Sequence, residues 1–560
     1  MNDSKTKEND LIVNYLENNM LSSKFTNQYN IGYYCATYPC EQGLANKLAV
    51  RFLSPILTIK DMTFQELDNS TNQFANILLK LGFKPEDVLF TYLPKCPEQL
   101  ISFLGTLKAG LIAGTLFSNF GTEALLDRLS DAQAKVIVTK RKLLKRFSSI
   151  LGELPALRAI ILIDIDEHES EQILSYNKLK SEASLRFTTP VTPPSAPSVL
   201  HYTSGSTGKP KGVLHHHESL LSQTLTSEKI LQLNPQEVYW CTADPGWVTG
   251  ISYGIIGPCA LGVSQIHFEG GYHAETWMRI INEQCITIWY TAPTALRMLM
   301  NEDPEIFKAI PQSKLKHIFS VGEPLNPEIV HWGHRVLHRD IHDTYFQTET
   351  GAIMISNRPS LTIKPGSMGV PVPDIAAAII DDAGHPLQPN QSGALAIKAP
   401  WPSMFTTYLN HDEIYKSKFI GSYYLTGDRA YQDMDGYFWF VGRNDDIINT
   451  AGHLISPFEI ESALLEIPEI AESAAIGASD DMLFEKVVAF IKLNEGVLYS
   501  RELELKIRLF VSNRVSTIAT PQDIRFVDTI PKNKSGKIMR RYLKALYTGA
   551  DPGDISTMED

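Results

Sequence analysis

The stretch "YTSGSTGKPKG", Tyr202 to Gly212, decides how the rest of the chain is read. It follows the strand-like run "SVLHY" and packs three glycines, four serine or threonine hydroxyls and two lysines into eleven positions. Glycines free backbone N–H groups to converge. With the hydroxyls of Thr203, Ser204, Ser206 and Thr207, and with Gly205, Gly208 and Lys209, they make a nest for a polyphosphate. A Walker-type loop needs G-x-x-x-x-G-K-[ST], with the last hydroxyl on magnesium. Here Thr203 stands where the first glycine belongs, and Pro210 follows Lys209 without a hydroxyl. Both tests fail, so a Walker-type kinase or GTPase is rejected. A plain flexible linker would gain nothing from Lys209, Pro210 and Lys211 in succession.

Around this loop, apolar segments alternate with helix-like ones. "KVIVTK" and "RAIILIDID" read as short buried strands. "TTPVTPPSAPS", Thr188 to Ser198, is a proline-rich joint. Such alternation predicts an α/β fold of parallel sheets with helices on their faces. "SGALAIKAPWP" and "GYFWFVGR" look like β-hairpin material. After Arg443 a last α/β piece holds "AAIGAS" and "KVVAFIKL" as strands. In it "RELELKIRLFVSN" is an amphipathic helix, with Leu503, Ile507, Phe510 and Val511 at helical spacing. With 560 residues the chain is too long for one core. The expected order is an N-terminal arm over 1–30 and a large domain over 31–444. A small mobile α+β domain over 445–548 and an acidic tail over 549–560 follow. The large domain combines parallel-sheet α/β subdomains with a small β subdomain.

Composition narrows the function classes. A net charge of -12 disfavours non-specific nucleic-acid partners. No run of 18 apolar residues exists, so no membrane span is expected. The polar start lacks a signal core. Of six cysteines only Cys35 and Cys40 are close, and no CxxC occurs. That predicts buried thiols in a reducing cytoplasm rather than a zinc or disulfide framework. His215, His216 and His217 are adjacent, which prevents them from all facing one metal. His215 is expected near the substrate channel.

"YTSGSTGKPKGV" resembles the phosphate loop of the adenylate-forming enzymes: acyl-CoA synthetases, luciferases and peptide-synthetase adenylation domains. "TYFQTETG" (Thr344 to Gly351), "YYLTGD" (Tyr423 to Asp428), "GRNDD" (Gly442 to Asp446) and "PKNKSGKIMRR" (Pro531 to Arg541) occur in that family's order. Within it, "YWCTADPGWVTGISYGIIGP", "SVGEPLNPE" and "IKPGSMGVPVP" are similar to the acetyl-CoA synthetases, the bacterial branch above all. The first 190 residues resemble it only diffusely.

The resemblance implies an acid activated by ATP to acyl-AMP and then passed to coenzyme A. Acetate is the expected acid, with propionate or another short acid as the alternative. A carrier loader or acyl-adenylate binder without ligase activity is the reading from another class. By the same resemblance, the 203–209 loop would hold the β- and γ-phosphates and Thr348 the α-phosphate. Glu349 would hold magnesium. Asp428 and Arg443 would hold the ribose. Gly322, Glu323, Pro324, Asp343, Thr344, Tyr345 and Gln347 would line the adenine slot. Trp247, Val248, Thr249, Val321 and Phe346 would wall the acyl pocket. Lys537 would reach the α-phosphate and the incoming carboxylate, and would be a target of a lysine acetyltransferase and deacetylase. Asp445 fits the hinge, and Gly452 would leave room for the pantetheine arm.

Three positions depart from the pattern. Phe346 replaces the tryptophan of the acetate-specific pattern, where medium-chain relatives have glycine. Tyr345 replaces another tryptophan. Leu454 stands where the family has an arginine that contacts the nucleotide phosphate.

Overall fold

The computed structural model describes residues 28–203, 210–310, 313–450, 453–480, 482–533, 536–553, 555 and 558. Among them the strands form four sheets. The first is nine-stranded. Its centre runs parallel through Leu48–Leu53, Ser264–Phe268, Val238–Cys241, Ile288–Thr291, His317–Val321 and Ile341–Tyr345. The second is eight-stranded, with Pro197–Thr203, Ile112–Leu116, Val88–Tyr92, Val136–Thr139, Ala159–Leu162 and Ile173–Ser175 parallel in that order. Central strands such as Val88–Tyr92, Val136–Thr139 and Ile288–Thr291 are buried on both faces, because helices cover both sides. Phe64–Lys80 is one such helix. Thr63 caps it by accepting from the Glu66 N–H, while the Glu66 carboxylate accepts from the Thr63 N–H.

The strand-like reading of "KVIVTK", "RAIILIDID" and "SVLHY" agrees with these elements. The glycine-rich stretch has a context that sequence did not give. Lys211–His216 returns antiparallel to Pro197–Thr203, with Thr203 opposite Lys211. The stretch is therefore followed by an antiparallel strand and not by a helix. That explains its departure from the Walker pattern, whose lysine and hydroxyl belong to a helix start.

The third sheet is antiparallel. Tyr423–Gln432 lies between Gly393–Lys398 and Phe438–Arg443. The two segments read as hairpin material thus share a neighbour rather than pairing with each other. The fourth sheet carries the C-terminal region. Ile470–Asp480 pairs antiparallel with Phe484–Leu493, and Asp523–Phe526 joins the latter in parallel. The helix Arg501–Arg514 buries Leu503, Ile507 and Val511 against it and half-buries Phe510.

The two ends of the chain are held where they are described. Asn30, from the arm, is buried and donates to the carbonyls of Leu107 and Lys108 and to the Thr192 hydroxyl in the proline-rich joint. Met558, from the tail, makes a β-bridge to Asn533. Among the described residues no helix is long and apolar enough to cross a membrane.

Candidate active site

Ligands of α/β sheets sit beyond the carboxyl ends of the strands. A cavity of about 330 Å³ opens there. The nine-stranded sheet contributes Trp247–Thr249, Val321–Pro324 and Asp343–Glu349, each at or after a strand end. The eight-stranded sheet contributes Thr203, the third sheet Asp428 and Arg443, and the C-terminal region Lys537. The motif residues that the sequence scatters over Thr203 to Lys537 meet in this one space. Of the expected site residues, Ser204, Gly205, Ser206, Thr207, Gly208, Lys209 and Gly452 lie outside the described residues.

Asp428 and Arg443 face each other across neighbouring strands. Arg443 Nε lies 3.6 Å from Asp428 Oδ1. Asp428 Oδ2 accepts from the Tyr345 hydroxyl at 2.6 Å and from Gln347 Nε2 at 2.8 Å. Burial raises the Asp428 pKa, and the Arg443 guanidinium opposes that. Tyr345 and Gln347 line the cavity, and they also aim this carboxylate.

Glu349 accepts on Oε1 from the Tyr408 hydroxyl at 2.8 Å. Next to it, the Thr348 carbonyl accepts from His215 Nε2 at 2.8 Å. That bond puts the His215 proton on Nε2, and burial pushes its pKa down to about 4. Neutral His215 thus braces the Thr348–Glu349 turn from below. Lys211 and Lys418 also line the cavity, and Lys211 feels the charges of both Lys418 and Glu349.

On the adenine-expected side, burial pushes the Asp343 carboxyl up to about 8. Its Oδ1 accepts from the Thr344 N–H at 3.0 Å. The Thr344 hydroxyl is tied to the Ser320 carbonyl at 2.7 Å, so it braces the strand. Glu323 also lines the cavity, but Arg297 Nη2 holds its carboxylate at 2.5 Å.

Phe346 packs edge-on against Tyr253, with ring centroids 5.3 Å apart, in a cluster that includes Val321 and Tyr290. Trp247 packs against Phe117 at 4.8 Å. Rings locked this way make a rigid pocket wall.

Lys537 sits on a hairpin in which Lys532 bridges Ile538. Its N–H donates to Asn533 Oδ1 at 2.9 Å, and its carbonyl accepts from the Asn533 N–H at 2.8 Å. Burial lowers the ammonium pKa, helped by the nearby Arg443 charge. Asp445 and Leu454 stand apart from this cavity. Asp445 lies in the turn after Arg443, 3.4 Å from its Nε, and Leu454 is 57% exposed.

Sequence reasoning missed several lining groups. Tyr408, Lys418, Arg297 and the buried pair of Glu461 with Arg540, 2.6 Å apart, all reach the cavity. Of these only Arg540 lies inside a quoted motif, "PKNKSGKIMRR".

The family model of the AMP-binding enzymes matches residues 41–409, and that of the AMP-binding enzyme C-terminal domain matches 459–537. The chain is 43% identical to an acetyl-coenzyme A synthetase of Bacillus subtilis (strain 168), over 96% of this chain and 93% of the relative. It is 38% identical to an acetyl-coenzyme A synthetase of Pasteurella multocida (strain Pm70), over 92% and 84%. The fold resembles an anthranilate CoA ligase solved with anthranoyl-AMP, with a TM-score of 0.85 and 28% identity over 94% of this chain and 99% of that one. A Brucella canis acyl-CoA synthetase superposes with a TM-score of 0.74 at 31% identity, over 97% and 99%. With both family models matched and relatives similar over nearly its whole length, the chain belongs to the AMP-binding, adenylate-forming enzymes.

Proposed function

We propose that this chain joins acetate to coenzyme A through acetyl-AMP. An acetate oxygen attacks the α-phosphorus of ATP, the bond to the β-phosphate breaks, and pyrophosphate leaves. The coenzyme A thiol then gives its proton to solvent, and its sulfur attacks the acyl carbon. The bond from that carbon to the phosphate oxygen breaks, and AMP leaves. The carrying observation is the meeting of Thr203, Glu349, Asp428, Arg443, Lys537 and Phe346 in one cavity. Relatives named acetyl-coenzyme A synthetase support acetate as the acid.

Each residue has a role under this reading. Bringing a carboxylate to a triphosphate needs positive charge arranged beforehand. Lys537 supplies it at the α-phosphate and the acid, with Thr348 donating to the same phosphate. Thr203 and the 204–209 loop hold the leaving pyrophosphate. Asp428 accepts from the ribose hydroxyls, and Arg443 donates to the sugar. Gly322, Pro324 and Asp343 bound the adenine. Trp247, Val248, Thr249, Val321 and Phe346 close the acyl end, and the buttressed Phe346 leaves a shallow space.

Magnesium fits the donor set. Glu349 offers a carboxylate oxygen besides the one that accepts from Tyr408. Among the described residues no three His, Cys, Asp or Glu side chains gather into a cage. That suits an ion that takes most of its ligands from phosphate and water. Bound there, it would neutralise phosphate charge. The second step calls for the C-terminal region to turn about Asp445, withdrawing Lys537 and bringing Gly452 to the pantetheine path. A cytoplasmic setting fits six cysteines that are all free. Lys537 is the residue that a lysine acetyltransferase and deacetylase would act on.

The test is a panel of short carboxylates, read by pyrophosphate exchange into ATP and by acyl-CoA formation. Acetate should lead both. Exchange without acyl-CoA would favour a carrier loader, and a lead by propionate would move the acid assignment.

A further inference from the structure

The hairpin that carries Lys537 touches the large domain at a tight spot. Gly536, the neighbour of Lys537, has φ of +89°. A Cβ added there would lie 2.6 Å from Glu323 Oε1 and 2.9 Å from Thr294 Cβ. The Thr294 hydroxyl oxygen is 3.1 Å from the Gly536 carbonyl, and 2.7 and 2.9 Å from the two Glu323 oxygens. Arg297 Nη2 donates to that hydroxyl at 2.8 Å and to Glu323 Oε2 at 2.5 Å. Thr294 and Arg297 both stand on the short helix Pro293–Met300.

We propose that Thr294, Arg297 and Glu323 form a detachable seat for the Lys537 hairpin, and that Thr294 is a positioning residue for acyl-AMP formation alone. This rests on the function proposed above. The Arg297 N–H occupies a lone pair of the Thr294 oxygen, which turns its single proton towards Glu323 and Gly536. The space that Gly536 leaves by lacking a side chain is what lets the hairpin approach. When the hairpin departs, Arg297 and Glu323 keep each other, so no buried charge is stranded. A seat of this kind holds without trapping. The loop after His317–Val321 then works on both sides. Gly322 and Pro324 line the cavity, Glu323 meets the hairpin, and Asn326 donates to Ser462 of the C-terminal region at 2.8 Å.

The test compares Thr294→Val, Thr294→Ser and Gly536→Ala in both half-reactions. Pyrophosphate exchange, run with the best acid of the panel, reads the first. Conversion of supplied acetyl-AMP and coenzyme A reads the second. In protein whose Tm matches the parent, Thr294→Val should lower exchange about 5- to 10-fold, the cost of one hydrogen bond, and Thr294→Ser should restore it. Gly536→Ala should lower exchange about 10-fold or more, from occupied space and a left-handed backbone. The second half-reaction should stay within about twofold in all three. Equal losses in both halves, unchanged exchange in Thr294→Val, or no rescue by serine would overturn the seat. Should Gly536→Ala fail to fold, the Thr294 pair decides alone. Exchange needs no acyl acceptor, so it reads the seat even if the unsubstituted protein makes no acetyl-CoA. That last result would count against the proposed function instead.

Discussion

The C-terminal region shows two unlike surfaces. On one, Lys537 is partly buried, with its hairpin seated on Thr294 and Glu323. On the other, Leu454, Met482 and Phe484 stand 57%, 92% and 70% exposed. Thr450 bridges that patch, pairing with His453 on one side and Phe484 on the other. Phe484 also holds φ of +70°, a conformation that aromatic residues rarely adopt. One surface is engaged and satisfied. The other carries apolar exposure and a left-handed backbone at Phe484. A domain with one working face would not need the second. Under the proposed function the contrast suits a domain used in two orientations, with Lys537 seated in the one that forms acyl-AMP. On that reading the large domain is the floor common to both.

Substitutions should therefore sort by location. Those on the seated face should strike acyl-AMP formation, those on the open face thioester formation, and those in the floor both. The largest effect belongs to Lys537. Lys537→Ala should cost about 10²–10³ in pyrophosphate exchange, the usual loss for one preorganised charge. It should still turn supplied acetyl-AMP and coenzyme A into acetyl-CoA, and acetylated Lys537 should behave alike because the charge is gone. Equal losses in the two assays would erase the distinction between the faces.

Next comes the floor. Phe346→Gly should shift preference from two or three carbons towards four or more, in both half-reactions. Each added methylene is worth about 1–3 kcal/mol of discrimination. A carboxylate panel checks it, and an unchanged preference would take Phe346 out of the acyl pocket.

Leu454→Arg tests the open face. Exchange should hold within about twofold, while thioester formation rises about tenfold, the scale of one hydrogen bond to a charged group. Lost exchange with normal thioester formation would put Leu454 on the wrong surface.

The smallest effect concerns Asp343. Its folded pKa of about 8 lies above the ordinary 3.8, so its ionisation opposes folding. The cost begins as pH rises past the unfolded value and is complete above the folded one. Asp343→Asn removes that slope. Its Tm advantage over the parent should grow by about 2–4 °C between pH 5 and pH 9. A constant difference across that range would mean that Asp343 is already ionised below pH 5.

The strands around the glycine-rich stretch were legible because buried parallel strands are short apolar runs. Val136–Thr139 and Ala159–Leu162 can hardly be read otherwise. The residues at strand ends were legible through ordered motifs, and nearly all the described ones line one cavity. What stayed hidden has no local signature. Tyr408 reaches Glu349 because Thr407–Tyr408 pairs with Lys211–His216, nearly two hundred residues earlier in the chain. Arg297 sits on a helix whose amphipathic pattern reads as core, and only its neighbours Glu323 and Thr294 give it meaning. The antiparallel return of Lys211–His216 onto Pro197–Thr203 was equally invisible, since glycine and serine permit a turn into either a helix or a strand.

Arg443 has one more consequence. Its Nε lies 3.6 Å from Asp428 and 3.4 Å from Asp445, and Asp446 acts on it too, so under the proposed function a single cation divides its attraction between the ribose carboxylate and the acidic turn that holds the hinge. Opposite charges compete for it in the way two weights share one spring. Were the turn to swing Asp445 away, a larger share of the pull would fall on Asp428. The nucleotide end would tighten as the joint opened, with no relay between them beyond Asn444, the one residue between Arg443 and Asp445 in the chain.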